Sequence, residues 1–240
     1  MVGSGIFSRK VLVSHQHRFI FVKTRKTGGS SVQIALAQYM DHPDDVVVPV
    51  VGSAEDGTPR LNNGVGKNAR IPVWRWRIKD FYWVATGFPR EYKEHMGARF
   101  IRRYVGRSVW DDYYTFAVER NPWDRLVSRY FYHFRPERGR SQIAFNDFVE
   151  SDILPAWSNW HLYTHKDQVI VDKLIRYDSL EDELREVTDL LGIPRLELPR
   201  AKGQYRKDRR PYQEWYNDST RQRIAEVFSR EIEYFGWTFD

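Results

Sequence analysis

The chain contains no cysteine among its 240 residues, so disulfide bonds and thiol chemistry are excluded. It has no stretch of about 20 apolar residues, the length that a membrane-spanning helix requires. No charged segment followed by a long apolar run opens the sequence, so no secretory signal is indicated. Internal repeats are absent as well. We therefore expect a single domain covering residues 1–240.

Positive charge and aromatic side chains are both well represented. The net charge is +6 and the isoelectric point is near 9.4, while 15% of the residues are aromatic and 41% are hydrophobic. A chain of this length and composition can bury one substantial core. Its basic character suits a protein whose ligands are polyanions, although net charge informs about partners and not about fold.

A strand, a loop and a helix are predicted in the segment FIFVKTRKTGGSSV, residues 19–32. Residues 19–22 form an unbroken apolar run, which is typical of a strand covered on both faces in a parallel sheet. After the loop, apolar residues recur at the i, i+3, i+4, i+7 spacing of an amphipathic helix: Val32, Ala35, Leu36 and Tyr39. Ser30 or Ser31 is expected to cap the first turn of this helix. The loop therefore lies at a helix N-terminus.

The composition of this loop favours an oxyanion ligand. Gly28 and Gly29 allow the backbone to approach a ligand closely, and the helix N-terminus favours negative charge, to which Lys26 adds a cation. Three hydroxyl groups supply further donors: Thr27, Ser30 and Ser31. A strand, a glycine turn and a helix also occur in this order without any ligand. In the nucleotide-binding loop GxxxxGK[ST] the lysine follows the last glycine, whereas here it precedes the glycines, which indicates an oxyanion handled without magnesium.

A second anion site is predicted in YYTFAVERNPWDRLVSRYFYHF, residues 113–134. A short buried strand at residues 116–118 precedes Asn121, a favourable N-cap, and a proline suited to the first helical position. Arg120 ends the strand, beside a helix face that carries Asp124 and Ser128. A guanidinium and a serine hydroxyl together suit a phosphate dianion. The alternative is an ion pair between Arg120 and Asp124, with Ser128 facing water.

Both segments resemble motifs of sulfotransferases that use 3′-phosphoadenosine 5′-phosphosulfate (PAPS). KTGGSS after an apolar strand resembles the loop that holds the 5′-phosphosulfate, with Arg25 where proline is common and Ser30 where threonine is common. RNPWDRLVSRY, residues 120–130, resembles the RNPxDRxxSxY element that holds the 3′-phosphate. The resemblance extends over residues 18–240, although only these two motifs are specific.

Three other segments extend this resemblance. EHMGARFIRRYVG, residues 94–106, is similar to the HxPAxxIRxxxG stretch of a subgroup, which implies His95 as the catalytic base, with Glu94 as the rival. Residues 171–194 resemble the later strand and helix of the family, with Asp178 where glutamate is usual. Residues 200–212 resemble a basic loop that closes over the nucleotide, and the chain ends in a similar helix and aromatic tail.

The resemblance implies an α/β fold, with a single P-loop-like domain whose central parallel β-sheet is flanked by helices. It implies in-line transfer of a sulfuryl group from PAPS to an acceptor hydroxyl, with PAP (3′-phosphoadenosine 5′-phosphate) as the product and no metal. His95 would be the base, and Lys26 would stabilise the leaving oxygen. The residues implied in binding the donor are Lys23, Arg25, Lys26, Thr27, Gly28, Gly29, Ser30, Ser31, Arg120, Ser128, Lys202, Arg206 and Arg209. Golgi members of the family normally carry a membrane anchor, whereas this sequence has no apolar stretch long enough to be one. We therefore expect a soluble, cytoplasmic, bacterial protein.

The acceptor is expected to be a glycan or another small molecule with a free hydroxyl, and no nucleic acid is expected as a partner. Residues 41–80 lie between the matched segments as a variable insertion and are expected to select the acceptor. Within them, VVVPV predicts a short strand, and VWRWRIKDFYW predicts an edge strand with tryptophans on one face and basic residues on the other. This strand would either form a wall for the acceptor or pack its tryptophans in the core. Two other classes stay open, a P-loop kinase that uses ATP and a non-catalytic module that binds polyanions.

Overall fold

The computed structural model describes residues 11–47, 67–76, 91–92, 95–199, 208 and 210–240. Its strands are β1 (Leu12–Ser14), β2 (Phe19–Val22), β3 (Val46–Val47), β4 (Tyr114–Glu119), β5 (Thr164–His165), β6 (Gln168–Val169) and β7 (Lys173–Arg176). Its first helices are α1 (Gly29–Ala37), α2 (Ala98–Val105), α3 (Arg107–Asp112) and α4 (Pro122–His133). They are followed by α5 (Phe145–Glu150), α6 (Trp160–Tyr163), α7 (Leu180–Leu190), α8 (Asp218–Val227) and α9 (Ser229–Phe235).

The main sheet has five strands in the order β3-β1-β2-β4-β7. β2, β4 and β7 run parallel, whereas β1 pairs antiparallel with both β2 and β3. The parallel strands are apolar because both of their faces are covered, and every residue of β2 is buried. The predicted α/β fold with a central parallel sheet flanked by helices is confirmed, and the antiparallel strands β1 and β3 extend it at one edge.

Helices cover both faces of this sheet. On one face, α1 and α7 pack against Phe21 and Phe116 of the central strands. On the other face, α2 packs against Ile20 and Ala117. A third apolar cluster joins α4 to α5 and α8, with Val127 of α4 fully buried. No helix among the described residues is long and apolar enough to cross a membrane.

The strand and helix predicted around the first loop are confirmed, but the predicted serine cap is wrong. Gly28 is the N-cap of α1, with φ of 74°, and no side chain caps the helix. Its carbonyl oxygen accepts a hydrogen bond of 2.9 Å from the amide of Ser31. Ser30 already lies inside the helix, and its hydroxyl accepts a bond from Lys23. The left-handed turn at Gly28 therefore places the N-cap of the helix two residues before Ser30.

The predicted start of α4 is confirmed. The side chain of Asn121 accepts a hydrogen bond of 3.1 Å from the amide of Trp123, and Pro122 is the first helical residue. The preceding strand, β4, is longer than predicted. Downstream, β7 and α7 form the expected later strand and helix, and α9 is the expected last helix.

The edge strand predicted in VWRWRIKDFYW is wrong where it is described. Residues Val73–Arg75 form a 3₁₀ turn that begins after Pro72, closed by a bond of 2.9 Å from the amide of Arg75 to the carbonyl of Pro72. The helical backbone ends the alternation of faces, so Trp74 is 82% exposed, while the indole of Trp76 donates to the carbonyl of Ile71. Residues 77–83 lie outside the described part of the chain. The strand predicted from VVVPV is present as β3.

Candidate active site

A cleft of about 880 Å³ lies where β2 and β4 end, and both predicted anion-binding motifs line it. Its wall includes residues 23–31 from the first motif and Arg120 and Ser128 from the second. His95 also faces this cleft, although it precedes α2, which packs on the other side of the sheet. The carboxyl ends of parallel strands are where α/β sheets usually bind ligands, because the following loops and helix N-termini converge there.

The first loop is supported from below by a buried lysine. Lys23 is only 4% exposed, and its ammonium donates hydrogen bonds of 2.8 Å to Ser30 and 3.1 Å to Gln33. A Cβ atom added to Gly29 would lie 3.1 Å from the Lys23 side chain, so glycine permits this close packing. Lys23 thus fixes the first turn of α1 and lies next to the backbone that faces the cleft.

Threonine hydroxyls link the same loop to the neighbouring strand. The hydroxyl groups of Thr24 and Thr27 are 2.7 Å apart, and Thr24 donates to the carbonyl of Val118 in β4. Both threonines are buried. The Thr27 hydroxyl is therefore engaged within the protein, and its contribution to the cleft comes through the backbone and the shape of the turn.

A distant asparagine holds the loop at Arg25. The Asn159 side chain accepts a bond of 3.1 Å from the Arg25 amide and donates one of 3.1 Å to the Arg25 carbonyl. It also donates to a carboxylate oxygen of Glu119, at 3.2 Å. The Arg25 guanidinium donates to the carbonyls of Ala156 and Ser158, both at 3.3 Å. Arg25 therefore ties the loop to the chain before α6, a connection that the sequence did not indicate.

The carboxylate of Glu119 is fully buried beneath the cleft. Arg125 donates to it at 2.7 Å, and the amide of Arg120 donates at 2.9 Å. Glu231 also approaches Arg125, at 3.6 Å, so two carboxylates share one guanidinium. Burial raises the pKa of Glu119 to about 7, against the lowering effect of Arg125. This buried group lies directly before the cleft residue Arg120 in sequence.

Arg120 forms the ion pair with Asp124 that was left open as an alternative. Its guanidinium contacts the Asp124 carboxylate at 2.6 Å and lies 4.2 Å above the ring of Tyr177. Only 11% of the Arg120 side chain is exposed, and that part faces the cleft. The Asp124 carboxylate and the Tyr177 ring hold the guanidinium in one orientation. It therefore loses little conformational entropy when it binds an anion. Ser128 lies further along α4 and lines the same cleft.

The imidazole of His95 is oriented by a backbone carbonyl. Its Nδ1 lies 3.0 Å from the carbonyl oxygen of Lys23. A carbonyl oxygen only accepts, so Nδ1 carries the proton and the lone pair of the neutral ring is on Nε2. His95 itself has a positive φ of 54°. The ring is thereby joined to the strand end that leads into the first loop.

One wall of the cleft was not predicted. The ammonium of Lys26 lies 4.2 Å above the ring of Tyr132, in the last turns of α4. Arg129, Arg138 and Trp157 line the cleft beside it. In the sequence, the RYFYHFRPERGR run contains Arg129, Tyr132 and Arg138, but helix periodicity alone does not reveal that they lie near Lys26.

Several predicted residues lie outside the described part of the chain: Glu94, Lys202, Arg206 and Arg209. From the expected nucleotide loop, Arg210, Pro211 and Tyr212 do line the cleft. Within the described ranges, no group of three or more metal-ligating side chains is present.

Parallel strands with a cleft lined by cationic side chains at their ends are typical of α/β proteins that bind anionic ligands at this edge of the sheet. The profile of the sulfotransferase family matches residues 9–238. The chain therefore belongs to the sulfotransferase family and is an enzyme of sulfuryl transfer. This membership decides against the kinase and the non-catalytic module as alternatives.

Two individual proteins are similar to the chain. An uncharacterized protein of Archaeoglobus fulgidus is 36% identical over 102 residues, which are 41% of this chain and 84% of that protein. The crystal structure of a sulfotransferase from Alicyclobacillus acidocaldarius is 18% identical and superposes with a TM-score of 0.42, over 92% of this chain and 96% of the other.

Proposed function

We propose that the chain transfers the sulfuryl group of PAPS to an acceptor hydroxyl on a saccharide, with His95 as the base. The observation that supports this most is the convergence of both anion-binding motifs and His95 on one cleft. The two motifs are about 90 residues apart in the sequence. Local structure therefore does not require them to meet.

The cleft residues fit a donor with phosphate groups at two ends. The amides at the start of α1 and the Lys26 ammonium suit the 5′ end, where a helix N-terminus attracts an oxyanion. Arg120 and Ser128 suit the 3′-phosphate, because a guanidinium and a hydroxyl can bind different oxygens of one dianion. PAPS, when bound, supplies an activated sulfuryl group.

His95 and Lys26 have different roles in the proposed reaction: His95 accepts a proton, and Lys26 stabilises negative charge. The Nε2 atom of His95 takes the proton from the acceptor hydroxyl, since the Lys23 carbonyl holds the proton of the neutral ring on Nδ1. The Lys26 ammonium stabilises the negative charge that develops on the leaving oxygen. Amides of the first loop hold the 5′-phosphate in place through this step.

The donor assignment is tested by calorimetric titration with PAP and with adenosine 5′-phosphate in magnesium-free buffer. PAP is expected to bind at least about tenfold more tightly, which corresponds to roughly 1.4 kcal/mol. Arg120→Gln and Ser128→Ala should each reduce this preference and leave the affinity for adenosine 5′-phosphate nearly unchanged. Equal binding of the two nucleotides to the unmodified protein would reject the 3′-phosphate site.

Sulfuryl transfer itself is tested with sulfur-labelled PAPS and a panel of saccharide, phenol and peptide acceptors. Label in a saccharide is the expected result. Label only in phenols or peptides would support sulfotransferase activity but reject a saccharide as the acceptor.

A further inference from the structure

Glu119 is a buried carboxylate to which the proposed reaction gives no role. It is the last residue of β4, directly before Arg120, and its side chain is fully buried. It lies beneath the cleft without lining it. Its pairing with the buried guanidinium of Arg125 adds little net stability, because the desolvation of two charges offsets their attraction. The buried charge therefore calls for a role other than stability.

Three donors from separate parts of the chain meet on one oxygen of Glu119. The Oε1 atom accepts hydrogen bonds from the Arg125 guanidinium at 2.7 Å, the Arg120 amide at 2.9 Å and the Asn159 side chain at 3.2 Å. Hydrogen bonds that involve a charged group are shorter and stronger than neutral ones, and a buried donor that loses its partner is costly. One atom therefore fixes the relative positions of the three donors.

The two anion-binding motifs begin where the sheet no longer joins their strands. The pairing of β2 with β4 ends at Val22 and Ala117. Directly after it, the hydroxyl of Thr24 donates to the carbonyl of Val118. The first loop and the residues after β4 then separate, so their spacing depends on contacts outside the sheet.

Asn159 supplies such a contact between Glu119 and the first loop. Its side chain binds both backbone polar groups of Arg25, each at 3.1 Å, and donates to Glu119. Glu119 in turn accepts from the amide of Arg120. A single carboxylate thus joins the loop expected at the 5′ end of the donor to the residue expected at the 3′-phosphate.

A second carboxylate steadies the segment that carries Asn159. Glu231 accepts a hydrogen bond of 2.7 Å from the hydroxyl of Ser158 and lies 3.6 Å from the Arg125 guanidinium. Glu231 of α9 and Glu119 of β4 therefore hold Arg125 between them. Because these bonds form within the protein itself, the two motifs are held in place before any ligand arrives.

We propose that Glu119 is a positioning residue that keeps the first loop and Arg120 at the spacing of one donor molecule. A ligand with two ends gains from both sites only when their separation matches its own, whereas a ligand with one end needs only one site. This inference rests on the proposed function, because the two ends are those of the donor assigned there.

The test compares one ligand that has both phosphates with two that have one each: PAP, adenosine 5′-phosphate and adenosine 3′-phosphate. Each is titrated by calorimetry in magnesium-free buffer. Glu119→Ala should bind PAP at least about fivefold more weakly and change its affinity for either one-ended ligand by less than about twofold. Glu119→Asp keeps a charge for Arg125 but withdraws the carboxylate by one methylene group. It should show the same pattern, and it decides the question if the alanine variant does not fold.

Glu119→Gln is the conservative variant, because it keeps an oxygen in the place of Oε1. It should retain the affinity for PAP within about twofold. Val118→Ala is the matched control: it is the preceding residue of β4, fully buried, and its side chain points to the opposite face of the sheet. This variant should lower the urea midpoint of unfolding and keep the affinity for PAP.

Any of three results would overturn the role of Glu119. The first is an unchanged affinity for PAP in the alanine and aspartate variants. The second is an equal loss for all three ligands, and the third is a loss for PAP in Val118→Ala or Glu119→Gln as large as in Glu119→Ala. If the unmodified protein binds PAP no better than adenosine 5′-phosphate, the donor assignment itself fails, and the role of Glu119 fails with it. The variants thus test the inference, and the unmodified protein tests the proposed function.

Discussion

At the scale of single residues, the cleft combines groups that sequence motifs identify with groups that only the fold brings together. His95 was predicted as the base from a resemblance, and this stays a prediction; its hydrogen bond to the Lys23 carbonyl is compatible with the proposed role, because it leaves the lone pair of the neutral ring on Nε2. Arg120 was predicted as a phosphate ligand, and its pairing with Asp124 could not be decided from spacing, since Arg120 precedes the helix, where the i, i+4 rule for helical neighbours does not apply.

His95→Ala is expected to reduce turnover by about 10²- to 10⁴-fold, the usual contribution of a general base, with little change in PAP affinity. Turnover is measured with sulfur-labelled PAPS, and PAP affinity by calorimetry. Glu94→Gln is the matched comparison and should retain most activity. If Glu94→Gln is inactive and His95→Ala is active, the base is Glu94.

Glu119→Gln should alter how stability depends on pH. The pKa of Glu119 is raised to about 7 in the folded protein, against about 4.5 in the unfolded chain. The stability that its protonated form contributes is therefore fully present below about pH 4.5 and is lost as the pH rises through 7. The glutamine variant lacks this loss. We expect its unfolding free energy to gain on that of the unmodified protein between pH 5 and pH 8, by up to roughly 3 kcal/mol.

Urea denaturation of both proteins at four pH values in this window measures the difference. A difference that stays constant with pH would show that Glu119 is ionised throughout, held by Arg125.

At the scale of secondary-structure elements, the strand–loop–helix units were predictable because each has a strong local signal. β2 is a run of four buried apolar residues, and α4 has an Asn N-cap followed by proline. The strand prediction for residues 73–76 was wrong because the alternation of tryptophan and arginine is typical of a strand, whereas Pro72 and a local hydrogen bond favour a 3₁₀ turn. The prediction that Ser30 or Ser31 caps α1 was wrong because Gly28, in a left-handed conformation, is the N-cap.

Gly28→Ala should destabilise the element at this start. Gly28 has φ of 74°, and an added Cβ would lie 2.9 Å from the Tyr177 ring, so both strain and a clash are expected. Gly192→Ala is the control, because its φ is 64° but nothing lies within 4 Å of the added atom. Both variants carry a left-handed cost of about 1 kcal/mol. Gly28→Ala should lose about 1 kcal/mol more in urea denaturation.

If the two alanine variants lose the same free energy of unfolding, Tyr177 yields without cost and the contact does not constrain the loop.

At the scale of the whole molecule, the cleft depends on contacts between distant parts of the chain. Asn159 is fully buried and binds both backbone polar groups of Arg25 as well as Glu119. No local pattern around Asn159 indicates this, because its partners lie 134 and 40 residues away. For the same reason the wall of the cleft at Tyr132 was missed, because Lys26 and Tyr132 are distant in the sequence. The antiparallel strand β1 was not predicted either, although its partner β2 follows it closely in the sequence. That residues 1–240 form one domain, and that residues 41–80 select the acceptor, stay predictions.

Asn159→Ala is expected to lower the free energy of unfolding by about 2–3 kcal/mol, since it leaves buried partners unsatisfied. It should also weaken PAP binding, because the first loop loses its support. Asn146→Ala is the control: it removes one bond of 2.8 Å to Thr220, between α5 and α8, and should lower stability while PAP affinity is kept. Unchanged PAP affinity in the Asn159 variant, measured by calorimetry, would contradict this support.

The last residues of the chain pack against the start of α4, where the side chain of Asn121 donates to the carbonyl of Thr238, at 3.1 Å. The Tyr212 hydroxyl, next to the cleft, donates to the carbonyl of Phe239, at 2.9 Å. A deletion that removes Thr238 and Phe239 would therefore disturb the element proposed to hold the 3′-phosphate. Expression and crystallisation experiments on this enzyme should leave residues 237–240 unaltered.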